Sequence, residues 1–269
     1  MRNSLDTSII DKPELWRLSL MISYDKIDIL ARSEVGEPHA VCETIEFDSS
    51  IAGIARAIEE IVYASPMLLL PYRKVDILVN GGFSLVVPSS SDIESLDKLF
   101  PSNDETITLE NILNQDSKIV FRIDKPMYNF LSRTFDKSVP RHSLSVLANY
   151  FSNRSRLGNS GKMYIIIEEG HLNVLVYNRL GMAMANGFNY SDINDAAYFA
   201  LASANTAGFD FTNDEILIAG NSKVRAEIAP LLARFSRNVM PAILPSNALP
   251  IAGLSSKTAF PLLILPLCE

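Results

Sequence analysis

The same order of predicted elements occurs twice along this chain of 269 residues. Each copy consists of three strands, a helix with an apolar stripe, and a fourth strand. The first copy has strands at 15–23, 26–33 and 39–47, a helix at 50–65 that Pro66 ends, and a strand at 74–80. The second copy has strands at 162–168, 171–177 and 182–188, a helix at 192–206, and a strand at 215–219 that ends at Gly220.

The repeat period constrains the fold class. Units that recur after more than about 100 residues are too far apart for a solenoid, so the repeat implies two related domains that face each other. We therefore predict an α/β protein that arose by internal duplication, with a mixed β-sheet flanked by helices in each domain.

The segment between the copies is predicted to form an insertion and a linker. Residues 89–118 carry seven acids against two lysines, which indicates a solvated acidic insertion, with short helices expected at 93–100 and 109–113. A strand at 119–123 and amphipathic helices at 127–135 and 141–151 follow. The polar, glycine-containing stretch 153–162 is the linker, which gives a first domain at 1–157 and a second at 158–269.

The charge is unevenly distributed. The net charge of −7 and the isoelectric point near 5.1 argue against a dedicated nucleic-acid binder. Residues 133–162, however, hold six basic residues against one acid, with Tyr150 and Phe151 among them. This basic segment could bind RNA or an acidic partner. The alternative, which we favour, is a solvated helix face that pairs with the chain's own acidic insertion.

Several features favour a cytoplasmic protein without a membrane segment. Acids stand where a signal peptide needs its apolar stretch, and the longest uncharged run, 238–256, is broken by three prolines. Cys42 and Cys268 are too few for a disulfide framework or a zinc site. The apolar end at 259–268 is predicted to be a late strand packed onto the second domain, or else a tail used for self-association.

Three turns carry the residues that a phosphate or adenosine site would use. Ser23-Tyr24-Asp25 forms the first hairpin turn, Glu168-Glu169-Gly170 forms the second, and Ala219-Gly220-Asn221 follows the last strand of the second copy. With these turns, the duplicated unit at 14–245 resembles the actin-like ATPase superfamily of sugar kinases, acetate kinases, heat-shock chaperones and actin. Within that ribonuclease H-like class it looks like a bacterial branch formed by a domain of unknown function.

The resemblance implies a cleft between the domains and five candidate nucleotide-binding positions: Ser23, Asp25, Glu168, Gly170 and Gly220. In active members both hairpin turns read Asp-x-Gly, in which the acid helps to hold hydrated Mg²⁺ and the glycine lets phosphate approach. Here Ser23 replaces the acid and Asp25 replaces the glycine, whereas Glu168 and Gly170 keep an acid and the glycine. The resemblance makes ATP with Mg²⁺ the possible cofactor, and the departures predict no bound cofactor and no catalytic residue.

The three histidines do not suggest a metal site. His39, His142 and His171 share no metal-ligand spacing, so no metal centre is predicted. His171 follows two glutamates at a turn, and we expect an exposed histidine whose pKa they raise if they are close.

Three functions are compatible with the sequence. The first is a non-catalytic binding or scaffold module with a protein partner or a second copy of itself. The second is an atypical nucleotide-dependent enzyme that uses Glu168 and Gly170. The third is an RNA-associated factor that uses residues 133–162.

Overall fold

The computed structural model describes residues 9–35, 39–112, 116–135, 138–244 and 258–268. The first repeat begins with three antiparallel strands and returns with a strand parallel to the first: β1 (Trp16–Ile22), β2 (Lys26–Ser33), β3 (Ala40–Glu46) and β4 (Lys74–Val79). The helix between β3 and β4 is interrupted at Gly53, whose φ of 80° separates α1 (Ser49–Ala52) from α2 (Ile54–Ala64).

A small antiparallel sheet is inserted after β4. It consists of β5 (Ser84–Pro88), β6 (Glu105–Asn111) and β7 (Ser117–Asp124) in the order β5-β7-β6, with α3 (Ile93–Leu99) between β5 and β6. The helix predicted at 93–100 is confirmed. The helix predicted at 109–113 is wrong at 109–111, which belong to β6, and its position 113 lies outside the described residues. Ile107 and Leu109 both pack beside Val120, and this alternation is typical of a strand.

The first sheet is completed after this insertion. The chain continues through α4 (Lys125–Thr134), the two-residue strand β8 (Arg141–His142) and α5 (Ser143–Ser155). Because β8 pairs with β4, the sheet has the order β3-β2-β1-β4-β8.

One acid of the insertion holds the beginning of α5. Glu110 accepts hydrogen bonds from the backbone N–H of His142 at 2.6 Å and from the hydroxyl of Ser145, and it pairs with Arg141 at 3.2 Å. The expected pairing of the basic segment with the acidic insertion is therefore confirmed at Arg141. The expected solvated helix face is found at Arg133 of α4 and at Arg156 after α5, which are exposed, whereas α5 itself is buried from Ser143 to Ala148.

The second repeat has the same topology as the first. Its strands are β9 (Lys162–Glu168), β10 (His171–Asn178), β11 (Gly181–Asn189), β12 (Glu215–Gly220) and β13 (Val239–Pro241), in the order β11-β10-β9-β12-β13. As in the first sheet, the first strand of the repeat runs antiparallel to the second and parallel to the fourth. Helices α6 (Ile193–Thr206) and α7 (Ser222–Leu232) complete the repeat.

One large hydrophobic cluster joins the two sheets. It contains Met21 and Leu78 of the first sheet, Tyr164 and Ile166 of the second, and the buried face of α5. The end of the chain also enters it, as the short helix α8 (Phe260–Ile264) followed by a 3₁₀ turn at Leu265–Leu267. The predicted late strand is therefore wrong in conformation. Proline is tolerated in the first turn of a helix, where Pro261 lies. Helix α8 packs into the hydrophobic cluster through its side chains and does not pair with a strand.

Two further predictions concern membrane-spanning helices and the boundary between the domains. In the described part of the chain, no helix is both long enough and apolar enough to cross a membrane. Helix α5 ends at Ser155 and β9 begins at Lys162. The division of the chain between residues 157 and 158 stays a prediction.

Candidate functional site

The two hairpin turns meet at one cavity between the sheets. The β1–β2 turn and the β9–β10 turn line a cavity of about 270 Å³, together with the residues that follow β4. Four of the five predicted positions line it: Ser23, Asp25, Glu168 and Gly170. Their role in binding a nucleotide stays a prediction.

Gly220, the fifth predicted position, does not line this cavity among the described residues. It ends β12 where that strand passes close to β9, and a Cβ at this position would lie 2.1 Å from the carbonyl oxygen of Ile167. The next residue, Asn221, accepts the backbone N–H groups of Lys223 and Val224, so its side chain caps α7. Glycine is therefore required here by the packing of two strands.

The base of the cavity is a polar network that the sequence did not reveal. The side-chain oxygen of Asn80 accepts hydrogen bonds from the hydroxyl of Ser143 at 2.6 Å and from the amide of Asn173 at 3.4 Å. The amide of Asn80 lies 3.5 Å from the hydroxyl of Ser23. Since Asn80 follows the first sheet and Asn173 belongs to the second, this buried contact connects the two halves of the molecule.

In the sequence, the network is marked only by the segment Asn80-Gly81-Gly82, whose polar residue and two glycines are typical of a bend between two strands. The structure has this bend, because β4 ends at Val79 and β5 begins at Ser84. A local pattern could not reveal that the side chain of Asn80 would contact a residue 93 positions further along the chain.

His171 is half-buried, so the expected exposed histidine is wrong. Its Nδ1 lies 2.9 Å from Oδ1 of Asn189, and its Nε2 lies 3.4 Å from Oδ1 of Asn173. The ring also lies beside Gly81 of the first half. Burial lowers the pKa of His171, although both asparagine contacts oppose this change. The expected increase from the neighbouring glutamates is therefore also wrong.

Glu168 lies at the junction of the cavity and the C-terminal segment. Its Oε1 accepts the backbone N–H of Phe260 at 3.3 Å. Burial raises the pKa of Glu168 to about 7, and the hydrogen bond from Phe260 opposes this shift only in part. Close to neutral pH, a substantial fraction of this carboxyl group is therefore protonated.

We expect Glu168→Gln to make stability less dependent on pH around neutrality. The pKa of Glu168 is about 7 in the folded chain, above its ordinary value of 4.5. Protonation of Glu168 therefore stabilises the folded state relative to the unfolded state. Its stabilising contribution is complete below the ordinary pKa and is lost as the pH rises through about 7. The loss is at most about 3 kcal/mol. Denaturant unfolding of both proteins on the two sides of pH 7 measures it.

The matched control for that experiment is Glu169→Gln, since Glu169 is the exposed neighbour of Glu168. This variant changes the net charge equally and should keep the pH profile of the wild-type chain. Parallel profiles for the wild type and Glu168→Gln would contradict the assignment of the titration to Glu168.

Two five-stranded sheets of the same topology, which meet at a cleft between their first hairpins, define the actin-like ATPase fold. A crystal structure from Bacteroides thetaiotaomicron VPI-5482, of a protein with this fold and unknown function, is similar over 99% of this chain and 100% of that chain, with a TM-score of 0.79 and 21% identity. The PilM-PilN type IV pilus biogenesis complex is similar over 89% of this chain and 91% of that chain, with a TM-score of 0.53 and 12% identity.

The chain belongs to the family described as "Protein of unknown function (DUF3822)", whose family model matches residues 6–239. The predicted actin-like ATPase fold is confirmed, and so is the prediction of a domain of unknown function. The comparison with curated proteins gave no match.

Proposed function

We propose that this protein is a non-catalytic binding or scaffold module that uses the actin-like ATPase fold to hold a protein partner or a second copy of itself. The observation that carries the proposal is the first hairpin turn. Asp25 is exposed and lines the cleft where the resemblance places a glycine and an approaching phosphate. A carboxylate at that point repels a polyphosphate.

The second hairpin turn also fits a magnesium nucleotide poorly. A carboxylate holds Mg²⁺ in its ionised form. Glu168 has a pKa of about 7, and its Oε1 is already bonded to the backbone of Phe260.

The hydrophobic core between the sheets favours a rigid scaffold over an enzyme whose two domains move relative to each other. Closure of two domains on a ligand requires an interface that can rotate or slide. In this protein the two sheets, α5 and α8 share one hydrophobic cluster, and the polar contact of Asn80 with Asn173 crosses it. A large apolar interface of this kind resists relative domain motion.

A protein partner agrees with a solved structure of the same fold, since PilM occurs there in a complex with PilN. We place the module in the cytoplasm, where cysteines such as Cys42 and Cys268, which form no disulfide in the described part of the chain, stay reduced. A nucleic-acid partner is less favoured, because Arg141 pairs with Glu110 and the guanidinium of Arg154 lies 3.8 Å from the centre of the Tyr150 ring.

Isothermal titration with Mg-ATP and Mg-ADP, combined with an assay of phosphate release, tests the proposal. We expect neither heat of binding in the micromolar range nor turnover. Micromolar binding accompanied by phosphate release would overturn it. If Glu168→Gln then abolished that release while the fold stayed intact, the atypical enzyme would be the correct function.

A further inference from the structure

A second, larger cavity adjoins the cleft at the hairpin turns. This neighbouring cavity of about 470 Å³ lies between the first sheet and the inserted sheet. The segments Ser23-Tyr24 and Asn80-Gly81-Gly82 line both cavities, so the two lie side by side. We call the two together the hairpin groove.

The floor of the larger cavity is apolar. Ile22, Val79, Ile123 and Met127 form it and are almost completely buried, and Ile54 is half-buried at its side. Tyr24 stands above this floor with 68% of its surface exposed. An exposed tyrosine beside a buried apolar surface is the type of residue that dominates binding energy in protein interfaces.

The rim of the hairpin groove is acidic at both ends. Asp104, Glu105 and Asp124 line the end at the inserted sheet, and Asp25 and Glu169 line the end at the second hairpin. Two basic residues also line the groove. One guanidinium nitrogen of Arg122 pairs with Asp97 at 3.3 Å, whereas its Nη1 has no hydrogen-bond partner among the described residues, and Nζ of Lys26 lies 3.9 Å from the carboxylate of Asp28. Acidic side chains therefore outnumber basic ones in the lining.

We infer that the hairpin groove binds an extended peptide segment of a partner protein, with apolar anchor side chains flanked by lysine or arginine. The apolar floor accepts the anchors, and the two acidic ends attract the flanking cations. The excess of acidic over basic side chains in the lining opposes the phosphates of a nucleotide. The inference rests on the proposed function, since it names the site and the chemistry of the partner that the scaffold would hold.

The test measures fluorescence anisotropy of short synthetic peptides with the full chain. The probe is a labelled peptide of leucines flanked by lysines, compared with a peptide in which glutamates replace the lysines. We expect the lysine-flanked peptide to bind, with an affinity that falls as salt is added, and the glutamate-flanked peptide not to bind. Equal binding of the two peptides would overturn the inference.

Two variants locate the binding. Tyr24→Ala removes an exposed ring, so the fold should stay intact, and we expect about tenfold weaker binding. The double variant Asp104→Asn with Glu105→Gln should weaken binding by about threefold to tenfold through lost attraction. Its control is Glu60→Gln with Glu94→Gln, which makes the same change in net charge at exposed helix positions away from the groove. If the wild type, Tyr24→Ala, the acidic double variant and its control all bound the peptide with equal affinity, the inference would be overturned.

Two further readouts separate the possible failures. If Mg-ATP were turned over and displaced the peptide, the proposed function would fail. If Mg-ATP had no effect and the variants bound as the wild type does, only the peptide site would fail. A change in the oligomeric state of Tyr24→Ala in sedimentation experiments would identify a second copy of the chain as the occupant, which also overturns the inference.

Discussion

Gly220→Ala is expected to destabilise the chain by more than about 4 kcal/mol, which is an exceptional cost for the addition of one methyl group. The new Cβ would lie 2.1 Å from the carbonyl oxygen of Ile167 and 2.9 Å from its backbone nitrogen. These are backbone atoms of the neighbouring strand β9, so they cannot move without breaking the sheet. The φ of 101° adds strain of its own. Denaturant unfolding, or a loss of soluble protein, measures the effect.

The matched control is Gly170→Ala. Gly170 also has a positive φ, of 76°, but a Cβ there would meet no atom within 4 Å among the described residues. Only the backbone strain remains, so a cost of about 1 kcal/mol is expected. If both variants unfolded at the same denaturant concentration, the close approach of β12 to β9 would not be the reason for the glycine.

These two glycines also show what the sequence could indicate about the site. Both were candidate nucleotide positions because the resemblance places glycines there. The sequence located the turns correctly, and Gly170 does line the cleft. The sequence could not distinguish a glycine that leaves room for a ligand from one that leaves room for a neighbouring strand. The distance from Gly220 to the backbone of Ile167 depends on how β9 packs against β12.

Most of the fold was predictable because its signals are local. In each repeat, a hairpin, a third strand, an amphipathic helix and a fourth strand follow one another with short connections. The inserted sheet was only partly predictable. Its strand β6 alternates over only four residues, Thr106 to Leu109, and its pairing with β7 cannot be read from its own sequence.

The polar contacts of the site were less predictable than its turns. Ser23, Asp25 and Glu168 meet because the first hairpins of the two sheets lie opposite each other. The bond of Asn80 to Asn173 and the contact of Glu168 with Phe260 join residues about 90 positions apart, and no spacing rule predicts them. An apolar run bounded by prolines, such as 259–268, does not by itself distinguish a strand from a buried helix.

Phe260→Ala is expected to destabilise the chain by about 3–5 kcal/mol and to loosen both sheets. Phe260 is 5% exposed and belongs to the cluster that joins them. Its ring is parallel to that of Phe151 at 6.0 Å and meets Tyr150 edge-on at 6.1 Å. Removing it leaves a cavity where α5, α8 and the second sheet meet. Denaturant unfolding measures the cost, and hydrogen exchange in β1 and β9 measures how far the loosening extends.

Leu263→Ala is the control for Phe260→Ala, because Leu263 lies in the same short helix but is only half-buried. Its cost should be smaller, about 1 kcal/mol, and exchange in β1 should stay at the wild-type rate. The hydrogen bond from the backbone of Phe260 to Glu168 needs no side chain, so it can form in both variants. Any difference between them therefore measures the packing of the ring. If Phe260→Ala cost no more than Leu263→Ala, or if exchange increased in β9 alone, α8 would not connect the two sheets.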